Sequence, residues 1–317
     1  MKISICIPTY NAEFYAERII SAIKYQNLEI HEVIIVDSCS DDNTVKYFTE
    51  AGYRKFVVDK LKFDHGTTRN YAANLMHDAD IIVFATQDAL PASSSTLREL
   101  ICSFDNQRVG ASYGRQLPTV NSSPIAAHAR IFNYPRQSAL KGLEDIMRYG
   151  LKLAFISNSF AAYRRSALEA IGGFPKHCIV SEDTYVAAKM ILAGWKVAYC
   201  ADAKVYHSHN YNWRQEFQRY FDIGVFHARE PWVRKEFGGA EGEGMRFLKS
   251  EMKYLLHHAP YLIPSALFRT VIKYAGFRVG LFERHLPLGV KYRLSMQKAF
   301  WVQEGRGSDA ARTVEAD

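Results

Sequence analysis

Cysteine is scarce in this chain and badly placed for cross-linking. Cys6, Cys39, Cys102, Cys178 and Cys200 are the five present in 317 residues. Their number is odd and no pair has C-x-x-C spacing, which argues against a disulfide framework and a cysteine-ligated zinc or redox centre. They are expected to be reduced thiols, mostly in the core, as in a cytoplasmic protein. Long apolar runs are also missing. No window reaches about 18 consecutive apolar residues, so no transmembrane helix is expected. Met1-Lys2 leads directly into Ile3–Ile7, a run too short for a secretory apolar region and without a small-residue cleavage site. No G-x-G-x-x-G follows that run, which disfavours a nicotinamide oxidoreductase. There is no internal repeat and no low-complexity segment.

What is present fits an ordinary globular protein. The chain is long enough for one large α/β domain with an appendage, and its 48% hydrophobic content suits a packed core. The 19 Tyr and 19 Phe are read first as core packing. The net charge of +7 is unevenly spread: between Arg246 and Lys298 ten Lys/Arg face two acids, Glu251 and Glu283, so this window carries the whole excess. A local basic region implies an anionic partner. Apolar clusters such as Tyr261-Leu262-Ile263 and Ala266-Leu267-Phe268 inside it favour a membrane surface, with a solvated helical subdomain as the plainer reading. Nucleic acid is not expected, because no binding motif accompanies the charge.

The first 110 residues alternate strand and helix signals. Ile3–Ile7, Val33–Val36, Phe56–Val58 and Ile81–Phe84 read as strands, continuous and apolar. Asn11 is the expected cap of a helix carrying Phe14, Ile19, Ile20 and Ile23 on one side. Asp41, Asp42 and Asn43 are cap candidates for a helix over Thr44–Ala51, and Thr68–Met76 reads as helical. Unbroken apolar strands separated by helices imply a parallel sheet covered on both faces, with ligands at the carboxyl ends of its strands. The middle of the chain is mixed. Phe155–Tyr163 reads as strand, Ser166–Ile171 as a short helix and Gly172–Pro175 as a loop. Glu182–Leu192 reads as a helix capped by Ser181, and Val197–Tyr199 and Lys204–Tyr206 as short strands. Helical periodicity dominates from about Trp213, and the polar tail after about Gly305 is expected to be disordered.

Several residues at those carboxyl ends could carry chemistry. Asp88 follows the strand Ile81–Phe84; a carboxylate there can hold a divalent cation against a diphosphate, or it can cap the next helix or sit in a Pro turn. Asp37 closes the strand Val33–Val36 and can accept from a pyrimidine N–H or a ribose hydroxyl. The loop Phe63–Asn70 runs into a helix start with Arg69 nearby, an anion-site pattern. Ser181-Glu182-Asp183 opens a helix, where acids suit the dipole or where one could act as a general base. His207-Ser208-His209 follows a strand, and at most one of the two imidazoles is expected to face a given site.

Taken together, these segments resemble glycosyltransferase family 2. Ile7-Pro8-Thr9-Tyr10-Asn11, Ile35–Thr44, Gly66-x-x-Arg69-Asn70, Gln87-Asp88, Gly172-Gly173-Phe174, Glu182-Asp183 and Val205-Tyr206-His207 come in the family's order, over about residues 1–210. The resemblance implies a GT-A fold, α/β with a mostly parallel sheet flanked by helices, and an inverting mechanism. It implies a catalytic domain over 1–210; periodicity and charge add a helical basic region over 211–305 and a disordered tail over 306–317. Within the family, Phe63–Gly66, Gln87-Asp88-Ala89, Ser157-Asn158-Ser159 and His207–Tyr211 are similar to bacterial rhamnosyltransferases, which use dTDP-L-rhamnose and build O-antigen, capsule or cell-wall glycans.

The resemblance assigns roles by position. Asp183, with Glu182, matches the catalytic pair. Pro8, Thr9, Tyr10, Asp37, Arg69, Gln87, Asp88 and Asn158 match the nucleotide-sugar site, with Asn158 expected to touch sugar or acceptor. Asp88 and His207 match the ligands of a divalent cation, Mg or Mn. Where the family often has two carboxylates, Gln87-Asp88-Ala89 has one, and the imidazole tilts the preference toward manganese. The implied partners are a nucleotide-diphosphate sugar and a glycan acceptor, with a polyprenyl-diphosphate carrier at the inner face of the plasma membrane.

Overall fold

The computed structural model describes residues 1–239 and 241–314. The first half runs β1 Ile3–Thr9, α1 Glu13–Lys24, β2 Glu32–Asp37, α2 Thr44–Glu50, β3 Arg54–Val57, α3 His65–Leu75, β4 Ile81–Ala85, β5 Leu90–Pro91, α4 Thr96–Ile101, β6 Val109–Leu117 and α5 Pro124–Asn133. Then come β7 Ala139–Lys141, α6 Ile146–Tyr149, β8 Phe160–Arg164, α7 Arg165–Ala170, α8 Glu182–Leu192 and β9 Lys196–Tyr206. Beyond these all the described elements are helical: α9 Trp213–Arg229, α10 Pro231–Phe237, α11 Glu241–His258, α12 Ile263–Leu281, α13 Leu288–Leu294 and α14 Lys298–Val314, with short 3-10 turns between them.

One sheet holds the molecule together, in the order β3-β2-β1-β4-β8-β6-β9-β5, with β7 also on β9. The first four strands in that order are mutually parallel. β8 enters antiparallel between β4 and β6, and β6 and β9 pair parallel. Both faces are covered, so alternate residues of one strand feed opposite cores. Cys6, Ile82 and Phe84 pack toward the α3/α8 side. Ile5, Ile7, Ile81 and Val83 pack toward α1 and α4. Each such aliphatic side chain contributes about 1.5–3 kcal/mol through burial.

Several local expectations meet a different arrangement. Phe14 is exposed, and the buried stripe of α1 is Ala16, Ile19, Ile20 and Ile23. Asn11 does not cap α1. Its backbone is left-handed (φ 46°), and its side chain accepts from the Asp41 N–H. Asp42 instead accepts from the first N–H groups of both α1 and α2, at Glu13 (3.1 Å) and Thr44 (3.0 Å). Within Phe155–Tyr163 the strand begins only at Phe160. The two predicted strands around 200 are one, β9, bulged against β6 where Gly114 pairs Cys200 and Arg115 pairs Lys204. A side chain at Gly114 would meet the Ala203 carbonyl at 2.4 Å, so only glycine fits there. Of the five free thiols, Cys39 and Cys102 are exposed rather than in the core. The segment expected to be disordered from 306 is helical through Val314, and 315–317 lie outside the described residues.

Candidate active site

Parallel pairing brings the carboxyl ends of β1, β2 and β4 to one edge, with Thr9 beside Asp37 in the ladder. Asp37 is buried. It accepts from Thr9 Oγ1 (2.8 Å), Ser40 Oγ (2.6 Å) and Ser40 N–H (2.8 Å). Gln87 is spent on the same edge. Its amide accepts from the Tyr10 N–H (2.8 Å) and donates to the Tyr10 carbonyl (3.0 Å), joining the loops after β1 and β4. Tyr10 in turn carries the Lys60 ammonium 4.1 Å over its ring.

Asp88, just past β4, meets the end of β9. His207 Nε2 lies 3.4 Å and His209 Nε2 3.7 Å from its carboxylate. Among the described residues these three form the one His/Cys/Asp/Glu cluster with ligand atoms mutually within 4.8 Å. Both imidazoles face Asp88, contrary to expectation: residues i and i+2 of an extended segment share a face. His207 is buried, and its Nδ1 lies 2.9 Å from Gln116 Oε1 on β6. An amide oxygen can only accept, so Nδ1 carries a proton; Nε2, which faces Asp88, is the nitrogen that would bind a cation on giving up its own proton. Burial alone would raise the Asp88 carboxyl. The hydrogen bond and charge of His207 and the charge of His209 reverse this and hold it well below the usual carboxylate range. Burial and His207 push His209 down to about 4. One carboxylate and two imidazoles fit a divalent cation of intermediate softness.

A second group gathers at the start of α8. Ser181 is left-handed (φ 64°) and turns the chain into Glu182 and Asp183. Glu182 is buried between the Arg69 guanidinium (3.0 Å) and the Asn158 amide, which donates to it at 2.9 Å. Burial opposes its charge, but Arg69, His65 and Asn158 outweigh burial and keep its carboxyl below the usual range. Asp183 is half-buried and accepts from the Asn158 N–H (3.2 Å) and the Thr184 N–H (2.7 Å). Burial first, and the Glu182 charge second, raise its carboxyl well above the usual range. Two adjacent carboxyls are thus driven apart: one a fixed anion, the other poised to exchange a proton near neutrality.

The segment Ser157-Asn158-Ser159 joins the two groups. The Ser159 carbonyl accepts from the Thr86 N–H beside Asp88 (3.1 Å), and Ser157 Oγ accepts from Gln116, the residue that holds His207 (2.9 Å). Arg69 and Asn158 therefore stand with Glu182. Both ends of the Asn158 amide are engaged, since its oxygen accepts from Tyr163 OH (2.7 Å).

The loop Phe63–Asn70 is likewise occupied by protein. Asp64 caps α3 by accepting from Thr67 N–H (2.6 Å) and also takes the Cys178 N–H (3.0 Å). Asn70 both donates to the Phe174 carbonyl (2.9 Å) and accepts from the Phe174 N–H (2.8 Å). Gly66 passes so close to Pro175 that a Cβ would stand 1.9 Å from its carbonyl oxygen. This loop is a clamp on Gly172–Pro175 that sets the position of α8, and sequence reasoning missed that role. It also missed His209 and Gln116; for His209, the period-2 rule applied to His-x-His would have found it.

The whole arrangement is a strand-end site with an Asp/His cluster that fits a cation, a buried ion pair and a raised carboxyl. Residues 4–172 match the profile of "Glycosyl transferase family 2". The chain belongs to that family. As a family member it is an inverting glycosyltransferase. It is 49% identical over 302 residues to the O-antigen chain rhamnosyltransferase RfbN of Salmonella typhimurium, covering 95% of this chain and 96% of that protein. It is 46% identical over 304 residues to the O-antigen chain rhamnosyltransferase WbaN of Salmonella anatum, covering 94% of this chain and 95% of that protein. In fold it is similar to the mannosyltransferase PcManGT from Pyrobaculum calidifontis, solved in complex with GDP-Man and Mn2+. The TM-score is 0.55 and identity 18%, covering 95% of this chain and 85% of that one. It is also similar to Staphylococcus aureus TarS 1-349 solved with UDP-GlcNAc, with a TM-score of 0.51 and 15% identity, covering 90% of this chain and 91% of that one. Both neighbours share the GT-A architecture.

Proposed function

We propose that this family 2 enzyme transfers L-rhamnose from dTDP-L-rhamnose to a hydroxyl of a growing O-antigen chain. The two rhamnosyltransferase relatives, matched over nearly the whole chain, support the donor and the pathway class. The observation that carries the chemistry is the tie through Ser157–Ser159 between the Asp88 cluster and Asp183. It supports a reading in which the diphosphate meets the Asp88 edge beside a raised carboxyl.

In this reading Pro8, Thr9 and Tyr10 line the nucleotide edge. Asp37 takes the pyrimidine N–H. Three of the roughly four acceptor sites of its carboxylate are filled by Thr9 and Ser40, which leaves one. Asp88, His207 and His209 hold a divalent cation, which when bound supplies positive charge against the leaving diphosphate. Asp183 accepts the proton of the acceptor hydroxyl as its oxygen bonds the anomeric carbon and the bond to dTDP breaks on the opposite face. A β-L-rhamnosyl donor gives an α-L-linked product. Glu182, anchored by Arg69 and Asn158, keeps Asp183 basic without entering the reaction. The acceptor is carried on a polyprenyl diphosphate, and the enzyme works from the inner face of the plasma membrane; the basic window 246–298 supports that location. A thermal-shift screen of nucleotide sugars with and without Mn2+ tests the donor. At a hundredfold excess over Kd the true donor stabilises by about 2.7 kcal/mol. The largest shift is expected with dTDP-L-rhamnose plus Mn2+. A larger one with GDP-mannose or UDP-GlcNAc overturns the donor assignment.

A further inference from the structure

Helix α12 is built inside out. The face it turns to the protein carries its smallest residues, Ala266, Gly276 and Gly280. A Cβ at Gly276 or Gly280 would stand 2.5 Å or 2.2 Å from the carbonyl of Phe217 or Phe221 on α9. Its large apolar residues point away. Leu267, Phe268, Val271 and Tyr274, with Phe282 just beyond, are exposed; Val271 and Tyr274 are 64% and 65% accessible. At about 100° per residue these positions, with Arg278 between Tyr274 and Phe282, fall on one side of the helix and form one stripe along about 22 Å. An ordinary surface helix shows the opposite pattern, and a continuous exposed apolar stripe marks an interaction surface. No helix among the described residues is long and apolar enough to cross a membrane.

The surrounding charge selects the occupant. Arg278 lies within the stripe, its guanidinium 5.9 Å from the Phe282 ring centroid. Arg269 and Lys273 turn inward to Glu216 (3.0 and 3.7 Å). Lys249, Lys253, Arg278, Arg284, Arg293 and Lys298 stay exposed. A second copy of the chain would set such cations against their like. An anionic leaflet takes apolar side chains and cations together. The stripe also starts beside the site. Trp213 packs edge-on to Phe268 (4.9 Å), Arg269 donates to the Tyr211 carbonyl (2.8 Å), and the Tyr211 ring lies 5.3 Å from His209.

We infer that α12 lies along an anionic bilayer, with Leu267, Phe268, Val271, Tyr274 and Phe282 at the acyl boundary. The edge carrying Asp88 and His209 is thereby held at the leaflet, where a lipid-linked acceptor is presented. Only this last consequence rests on the proposed function.

The test is co-sedimentation of the purified full chain with vesicles of phosphatidylcholine, alone or mixed with phosphatidylglycerol, at low and high salt. The wild-type chain is expected to bind the anionic vesicles about tenfold or more better than the neutral ones, with the preference falling at high salt. The pairs V271E/Y274E and, as a milder change, V271S/Y274S are expected to lose about tenfold or more of that binding while keeping the melting temperature. Equal binding to both vesicle types, or folded variants that bind like wild type, overturns the inference. So does a wild-type dimer in light scattering that the variants turn to monomers. The nucleotide-sugar thermal shift reads the proposed function separately, and its failure would leave vesicle binding unaffected.

Discussion

Replacing Glu182 with Gln is the sharpest probe of how the α8 pair works. Gln keeps the shape of Glu182 and an oxygen for the Asn158 amide, which now donates at 2.9 Å. It removes the charge that helps to raise Asp183, and it frees the Arg69 guanidinium, 3.0 Å from Glu182, to act on Asp183 unopposed. Both changes lower the Asp183 carboxyl. A neighbouring charge of this kind is worth about 1–3 pKa units, and each unit corresponds to about 1.4 kcal/mol. The base must be ionised, so the wild-type rate falls as pH drops through the raised Asp183 pKa. In Glu182→Gln that fall moves to lower pH by about 1–3 units, and the plateau drops because the base is weaker. The assay is kcat/KM for rhamnosyl transfer against pH, beside a thermal melt, because an unpaired buried Arg69 costs about 3–5 kcal/mol of stability. An acid limb that stays in place or moves up in a folded variant refutes the reasoning.

Three further outcomes follow from the same geometry. Asn70→Ala removes both hydrogen bonds to Phe174 and should cost about 1–3 kcal/mol in urea unfolding; an unchanged midpoint would dismiss the clamp. Gln116→Met deprives His207 Nδ1 of its acceptor and should weaken Mn2+ binding about 10–100-fold by calorimetry, and an unaltered affinity would mean the His207 orientation is set elsewhere. Asp183→Asn should lower kcat about 10²–10⁴-fold with donor affinity unchanged, and a wild-type rate would remove Asp183 as base.

The parallel half of the sheet was legible because its strands are buried on both faces and so read as unbroken runs: Ile3–Ile7, Val33–Val36 and Ile81–Phe84. β6 was not. Gly110, Gly114, Arg115 and Gln116 give it the composition of a loop, yet Gly114 is demanded by the β9 bulge and Gln116 by His207. Asp88, Glu182 and Asp183 could be named from sequence because strand ends and helix starts are local features. What Arg69, Asn70 and Asn158 do could not, since their partners lie 113, 104 and 24 residues away and only the tertiary fold joins them. The apolar positions of α12 were visible, but periodicity alone cannot tell an inward stripe from an outward one. The glycines on the other face decide it.

The central claim is inverting rhamnosyl transfer with Asp183 as the base. It is tested most directly by NMR of the product formed from dTDP-β-L-rhamnose and the lipid-linked acceptor, using wild-type enzyme and Asp183→Asn in parallel. An α-L-rhamnosyl linkage from the wild type, nearly absent from the variant, is the predicted result. A β-linked product, or equal yields from the two proteins, would contradict it.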